Sequence, residues 1–211
     1  KLGARIIEFA GFRMPVEYTG VIEEHLTVRN QAGIFDVSHM GEFEVTGENA
    51  LDFLQYVTTN DVARIDPGQA QYNCLPNGKG GIIDDTIVYR FSDDEFMLVV
   101  NAVNIDKNWE WVNRQNKFGV RLQNVSDETS LIALQGPEDV NILNPLVDAE
   151  ISSMKNFTFV LANVAGIDRV IVSATGYTGS GGFELYCKNK DASHLWNAIM
   201  NAGEKYALKP L

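Results

Sequence analysis

The chain has few of the residues that build covalently linked or metal-held scaffolds. Its 211 residues include two cysteines, Cys74 and Cys187, which are far apart and have no CxxC neighbour, and three scattered histidines. Two isolated thiols do not make a disulfide framework and suit a reducing compartment. Scattered histidines lack the close spacing of structural zinc ligands. A nucleophile elbow of the G-x-S-x-G type is also missing, which argues against a Ser-His-Asp hydrolase.

Positive charge and long apolar runs are scarce as well. The chain carries 17 Lys and Arg residues against 28 Asp and Glu residues, a formal net charge of −11. Nucleic acids and anionic membranes need clustered basic residues, so we expect neither as a partner. The apolar runs are too short to span a bilayer, and the start of the chain resembles no signal peptide. We therefore expect an intracellular protein, cytoplasmic or of the mitochondrial matrix if the source is eukaryotic, or a processed fragment.

What the chain does have is an internally repeated order of elements. Hydrophobic residues make up 45% and charged residues 21% of the chain, an ordinary globular balance. Periodicity predicts, in the first half, a strand over 42–46, a helix over 48–58, strands over 69–75, 81–90 and 95–100, and a helix over 104–116. In the second half it predicts a strand over 131–135, a helix over 138–146, strands over 157–164, 168–174 and 182–188, and a helix over 192–205.

Each half therefore reads β-α-β-β-β-α, and the short links between consecutive strands favour antiparallel pairing. The predicted fold class is α+β, with two pseudo-repeated units whose antiparallel sheets are flanked by helices. We expect two intimately packed subdomains, over about 41–119 and 130–211, with residues 1–40 packing across them. Those first 40 residues should contain an extended segment that turns at Pro15 and a helix over 21–32.

Two adjacent aspartates lie inside the predicted strand over residues 81–90. Alternation along a strand places Asp84 on the face of Thr86 and Asp85 on the face of Ile87. If either face is covered, its carboxylate needs hydrogen-bond donors or a raised pKa, because an unpaired buried charge is very costly. The alternative is a strand end at which both aspartates are simply solvated.

A glutamate in the second half contrasts with an apolar residue in the first. Aligning the halves places Glu184 where the first half has Met97, each flanked by Phe and Leu. Glu184 could face water on the outer side of a sheet. It could instead line a pocket with Tyr186 and the glycine-rich turn over 176–179, whose glycines would let a flat ligand approach the backbone.

Five short motifs spread over most of the chain carry a family resemblance. In chain order they are residues 9–11 (FAG) followed by 14–15 (MP), 35–42 (FDVSHMGE), 80–85 (GGIIDD), 133–137 (ALQGP), and 176–179 (GYTG) with 182–184 (GFE). Together they resemble the aminomethyltransferases, the T-protein family of the glycine cleavage system. The resemblance implies a folate-binding domain, tetrahydrofolate as co-substrate and the lipoylated H-protein as partner. The implied reaction transfers the methylene carbon of the aminomethyl-lipoyl arm to tetrahydrofolate and releases ammonia.

The same resemblance assigns roles to individual residues. Asp85 matches the catalytic carboxylate and Glu184 the glutamate that holds the pterin ring. Tyr72 matches a folate-contacting position, and three further residues match such positions more loosely: Met40, Asn104 and Tyr177. No metal or redox cofactor is implied.

The chain departs from the family pattern in two respects. Ser180 and Gly181 stand where the family usually has Glu-Asp, so two carboxylates beside the pocket are lost. The chain also looks like the folate-binding portion of a longer protein, without the family's arginine-containing stretch and C-terminal β domain.

Four alternative functions remain open. They are a folate-dependent demethylase, the folate-binding part of a dimethylglycine- or sarcosine-oxidising enzyme, a non-catalytic folate-binding module, and an acidic α+β domain without a small ligand. The presence of both Asp85 and Glu184 argues against the non-catalytic module, since binding alone needs only Glu184.

Overall fold

The computed structural model describes residues 2–211, and its elements follow the predicted order. The strands and helices are β1 Arg5–Phe9, β2 Phe12–Glu17, α1 Val21–Asn30, β3 Gly33–Asp36, β4 Gly41–Thr46, α2 Ala50–Val57, β5 Gln69–Pro76, β6 Ile82–Arg90, β7 Glu95–Val100, α3 Ile105–Gln115, β8 Arg121–Asn124, β9 Thr129–Gln135, α4 Asp139–Leu143, β10 Phe159–Val164, β11 Ile167–Ser173, β12 Gly182–Lys188, α5 Asn189–Gly203 and β13 Lys209–Pro210. Within this described part, no helix is long and apolar enough to cross a membrane.

The chain folds into two compact units. One comprises residues 40–129, here called the Asp85 unit, and the other comprises residues 2–39 with 130–211, here called the Glu184 unit. Each unit contains one copy of the predicted β-α-β-β-β-α order and its own sheet. The α+β fold class with antiparallel sheets flanked by helices is therefore confirmed.

The Asp85 unit is built on a five-stranded antiparallel sheet in the order β5-β6-β7-β4-β8. One sheet face, which includes Phe43 and Leu98, forms an apolar core with helices α2 and α3. Helix α2 contributes residues at spacings of three and four, namely Ala50, Phe53, Leu54 and Val57. This spacing gives the helix one apolar stripe. Each large side chain buried in this way stabilises the unit by about 1.5–3 kcal/mol.

The Glu184 unit repeats this arrangement with one extra strand. Its sheet has the order β10-β11-β12-β9-β3-β13, in which β13 runs parallel to β3. The meander of three strands followed by β9 matches the meander and β4 of the other unit, and β3 takes the place of β8. Helices α4 and α5 complete the core through Ile142, Leu143, Leu195 and Ile199.

The prediction of a turn at Pro15 is wrong. The chain turns at Ala10 and Gly11, which have φ of 50° and 83°, and Phe9 pairs directly with Phe12. Two consecutive positive φ angles define the two-residue hairpin turn that matches strand twist. Pro15 lies inside β2 opposite Ile6, in a two-stranded sheet whose open edge tolerates its missing N–H.

Candidate active site

Asp85 is held through both of its carboxylate oxygens. The Tyr72 hydroxyl donates to Oδ2 at 3.0 Å, and the Asn101 side-chain amide donates to Oδ1 at 2.7 Å. Tyr72 lies opposite Ile87 on the neighbouring strand, so its side chain shares the sheet face of Asp85. The Tyr72 side chain remains 54% exposed. Asp85 is therefore an oriented carboxylate at a partly open surface, and the reading of a merely solvated strand end does not describe it.

Asp84 points to the opposite face of β6, where three asparagine amides converge on it. Asn101 donates to Oδ1 at 3.0 Å, and Asn104 and Asn108 donate to Oδ2 at 3.0 and 2.7 Å. Burial by itself raises the pKa of this carboxyl, but the bonds from Asn108, Asn101, Asn104 and the Asp85 backbone outweigh it. The pKa of Asp84 therefore lies below its ordinary value, and the group is an anion at neutral pH.

The three asparagines lie close together along the chain, at the junction of β7 and α3. Asn101 directly follows β7, Asn104 occupies the N-cap position of α3, and Asn108 lies one turn into that helix. The spacing of four places Asn104 and Asn108 on one side of the helix. Sequence reasoning proposed Asn104 but missed Asn101 and Asn108. The signal available was an asparagine repeated at helical spacing on the side of α3 that also carries the buried Val112.

A third carboxyl of the Asp85 unit has the opposite electrostatic character. Glu42 on β4 is 1% exposed, and among residues 2–211 its Oε2 finds no hydrogen-bond partner. Burial raises its pKa to about 8, so the side chain is largely protonated at neutral pH. Cross-strand pairing puts Glu42 in one row with Val99, Ile87 and Tyr72, on the sheet face of Asp85.

Glu184 lies on β12 directly opposite Ser173 of β11. The Thr175 hydroxyl donates to Glu184 Oε2 and lies 3.0 Å from Ser173 Oγ. Burial raises the pKa of Glu184 above its ordinary value, and the bond from Thr175 offsets part of this rise. Glu184 is thus a half-buried carboxyl beside a hydroxyl pair, not a residue on a water-facing sheet surface. Sequence reasoning missed Thr175, although it directly precedes the glycine-rich motif.

The glycine-rich turn before β12 is shaped around a buried glutamine. Gln135 is 2% exposed, and its Nε2 donates to the carbonyls of Thr175 and Phe183 at 3.2 and 3.4 Å. A Cβ on Gly176 or Gly182 would lie 2.0 or 2.3 Å from the Gln135 amide, and both have positive φ. These two glycines are therefore required for close packing of Gln135 as well as for the backbone path.

The structure gives a physical setting for the unusual pair Ser180 and Gly181. Gly181 has φ of +77°, and a Cβ there would lie 3.3 Å from Asp139 Oδ2. Burial raises the pKa of the Asp139 carboxyl, the Val140 N–H bond lowers it and the neighbouring Glu138 raises it. An acidic side chain at position 181 would place a second carboxylate beside Asp139.

The roles of all the predicted site residues stay predictions, including those of Met40, Asn104 and Tyr177. Met40 is half-buried in the bend before β4, and the Asn104 amide is already bonded to Asp84. Tyr177 is fully exposed at the edge of a pocket of about 310 Å³, which His25 and Arg29 also line.

Comparisons with known proteins agree over the full length of the chain. The family described as "GCVT N-terminal domain" matches residues 1–211. Two proteins named aminomethyltransferase, from Flavobacterium psychrophilum and Bacteroides thetaiotaomicron, are 51% and 50% identical over 210 residues. Each alignment covers 100% of this chain and 58% of the relative, so the chain spans less than two thirds of these relatives.

Solved structures agree with the sequence matches. The glycine cleavage system aminomethyltransferase T from Bartonella henselae superposes with a TM-score of 0.89 at 31% identity, covering 100% of this chain and 56% of that one. A heterotetrameric sarcosine oxidase from Corynebacterium sp. U-96 superposes with a TM-score of 0.62 at 14% identity, covering 88% of this chain and 92% of that one. The second likeness establishes a shared fold alone.

Proposed function

The chain belongs to the GCVT N-terminal domain family, and on this premise we propose that it forms the folate-binding and catalytic part of an aminomethyltransferase of the glycine cleavage system. The observation that carries the proposal is the 51% identity to an aminomethyltransferase across the whole chain. The proposed co-substrate is tetrahydrofolate, the proposed partner is the lipoylated H-protein, and the proposed location is the cytoplasm, or the mitochondrial matrix in a eukaryote. Nucleic acids and membranes are not proposed partners.

The proposed reaction makes two bonds to the transferred carbon and breaks two. The methylene carbon begins between the lipoyl sulfur and an amino group and ends between two folate nitrogens. Each folate nitrogen gives up one proton. One of these protons ends on the amine, which departs as ammonia, and the other ends on the sulfur, which departs as a thiol. No electrons are gained or lost, so the transfer needs no redox cofactor.

Glu184 is proposed to bind the pterin ring. The pterin edge presents an amino group and a ring N–H side by side, and a carboxylate accepts from both at once. Because burial raises the pKa of Glu184, the ionised form is short of donors before folate binds. The ligand supplies two, so folate binding and ionisation of Glu184 favour each other. Tyr72, Met40, Asn104 and Tyr177 are proposed as further folate contacts.

Asp85 is proposed to act on the reacting atoms. The transferred carbon becomes cationic as ammonia leaves, and a fixed carboxylate beside it stabilises that charge. The same carboxylate can take the proton released by the attacking folate nitrogen. Its bonds from Tyr72 and Asn101 leave lone pairs on both oxygens for this role. Holding folate against the lipoyl arm supplies much of the remaining rate enhancement through proximity.

The test uses the intact natural protein with aminomethylated H-protein and tetrahydrofolate. We expect ammonia release that requires all three components. A control with sarcosine or dimethylglycine in place of the H-protein tests the demethylase alternative. Folate binding, followed by the fluorescence of Trp109, Trp111 and Trp196, without ammonia release would contradict the proposal and favour a non-catalytic folate-binding module.

A further inference from the structure

We infer that Asp84 is a positioning residue for Asp85 and that it acts through Asn101. The inference rests on the proposed function of Asp85. Asp84 itself points away from the sheet face that carries Asp85 and Tyr72, so it does not contact the reacting atoms. A side chain that bonds both aspartates can pass the effect of Asp84 to the Asp85 carboxylate.

Asn101 is that residue, because one amide group bonds both carboxylates. Its Nδ2 lies 2.7 Å from Asp85 Oδ1 and 3.0 Å from Asp84 Oδ1. Thr86 pairs with Val100 in the antiparallel β6–β7 pair, so Asn101, the residue that follows β7, lies level with Asp85. A primary amide has two hydrogens in one plane, and each is used for one aspartate. The direction of Asp85 is thus tied to the plane of the Asn101 amide.

Asp84 fixes which way this amide faces. An asparagine side chain can exchange its nitrogen and oxygen by rotation about its last bond. Here rotation would turn Asn101 Oδ1 toward two carboxylates and lose two charge-assisted bonds. Asp84 is held in turn by Asn104 and Asn108 at 3.0 and 2.7 Å, so it is a fixed anion and not a mobile one.

Asn108 shows how strongly Asp84 orients the amides around it. Asn108 is 0% exposed, and across the part of the chain that the structure describes its Oδ1 has no hydrogen-bond partner. A buried acceptor without a donor destabilises the fold. The amide nevertheless directs its nitrogen to Asp84, so the bond to the anion outweighs the cost of the unpaired oxygen.

The two adjacent aspartates therefore have different tasks. Asp84 accepts three amide donors and the backbone bond from Asp85, which occupies its lone pairs. Asp85 keeps free lone pairs and is the one available to the substrate. Loss of the Asp84 charge should leave Asp85 in place but free to rotate, which affects turnover and not folate affinity.

The experiment compares Asp84→Asn, Asn101→Ala and the double variant in the intact natural protein. We expect each single variant to lower kcat by about 10- to 100-fold, the effect of a misplaced reacting group, with the KM for folate changed less than about 3-fold. The double variant should be no slower than Asn101→Ala, because Asp84 acts through Asn101. The matched controls are Asp94→Asn in the exposed β6–β7 turn and Asn113→Ala, whose amide bonds the Trp109 carbonyl.

A folded Asp84→Asn variant with unchanged kcat would overturn the inference. A double variant whose kcat is reduced by the product of the two single-variant factors would overturn it as well. If Asp84→Asn does not fold, Asn101→Ala with unchanged kcat overturns it equally. A wild-type protein without transfer activity would refute the proposed function instead.

The positioning is then decided by nuclear magnetic resonance, in which the Asn101 side-chain amide protons should shift in Asp84→Asn. Unshifted resonances would overturn the inference independently of activity.

Discussion

Strands β6 and β7 of the Asp85 unit hold the same places in their sheet as β11 and β12 of the Glu184 unit. In the first pair Met97 lies opposite Tyr89, and in the second Glu184 lies opposite Ser173. Glu184 thus occupies the position of a buried methionine. Counting four residues back from Tyr89 and from Ser173 places Arg169 at the position of Asp85. The same scaffold therefore carries its distinctive carboxylate at a different point in each copy.

The two carboxylates also differ in how firmly they are held. Asp85 receives bonds from Tyr72 and Asn101, and the neighbouring Asp84 binds three amides. At Glu184 the donor is the Thr175 hydroxyl, and burial raises the pKa. An acid that meets a developing charge benefits from a fixed direction. An acid that binds a ligand gains more when the ligand supplies the missing donors. The difference in support fits the proposed difference in role.

The largest expected effect comes from Asp85→Asn. Asparagine keeps the shape and one acceptor but loses the charge, so turnover at saturating folate should fall by about 10²- to 10³-fold. Folate affinity, measured by calorimetry, should change little, because this carboxylate acts on the reacting atoms. If Asp85→Asn lost folate binding while Glu184→Ala kept it, the two roles would be assigned the wrong way round.

Glu184→Ala should give the complementary result. It removes a two-point, charge-assisted contact and should weaken folate binding by about 2–4 kcal/mol, or roughly 30- to 1,000-fold. Glu184→Gln keeps one acceptor and should fall between wild type and alanine. Because the pKa of Glu184 is raised, wild-type affinity should decline on acidification at a higher pH than for an ordinary glutamate. Affinity independent of pH in that range would contradict a carboxylate contact.

Glu42 sharpens the comparison within one unit, since it lacks the donors that Asp84 has. A proton bound more tightly in the folded state stabilises the fold at low pH, and that stability is lost as pH rises from 4.5 to about 8. Glu42→Gln should abolish this dependence. Between pH 4.5 and pH 8, the free energy of unfolding of the variant should therefore fall by about 2–4 kcal/mol less than that of the wild type.

Urea unfolding of the intact protein at both pH values measures the effect of Glu42→Gln. The matched control is Glu44→Gln, two residues along β4 on the same face but exposed, which should leave the pH dependence unchanged. If the free energy of unfolding changed equally between the two pH values in the wild type and in Glu42→Gln, Glu42 would be ionised in the fold.

The smallest expected effect concerns the turn that leads to Glu184. In Gly182→Ala the new methyl group would meet Gln135 Nε2 at 2.3 Å and the Leu134 carbonyl at 2.6 Å. Gly166→Ala is the control, because its φ of +84° is also positive but, apart from its chain neighbours, no atom of residues 2–211 lies within 4 Å of its Cβ position. Gly182→Ala should destabilise the protein by about 1–3 kcal/mol more than the control. Equal losses in thermal unfolding would show that Gln135 adapts without cost.

Local sequence signals determined most of the secondary structure. The bounds of β7 and β12 match the prediction at both ends, and most other elements differ by one to three residues. In these segments the apolar residues recur with the period of a strand or of a helix, and this pattern can be read without knowledge of distant residues. Two boundaries were missed for local reasons. The Ala10–Gly11 turn lacks the usual asparagine, and Pro145 ends α4 early by removing a helical N–H.

The sequence by itself also pointed to Asp85 and Glu184, because each lies in a short contiguous motif. Tertiary structure alone decided which groups serve them. Asp85 meets Tyr72 thirteen residues earlier and Asn101 sixteen residues later, and Asp84 meets Asn108 after twenty-four. Strand register and the packing of α3 bring these residues together. Neither can be read from the local sequence around each residue. The opposite pKa shifts of Asp84 and Glu42 arise for the same reason, because donors and burial come from elements brought together only by folding.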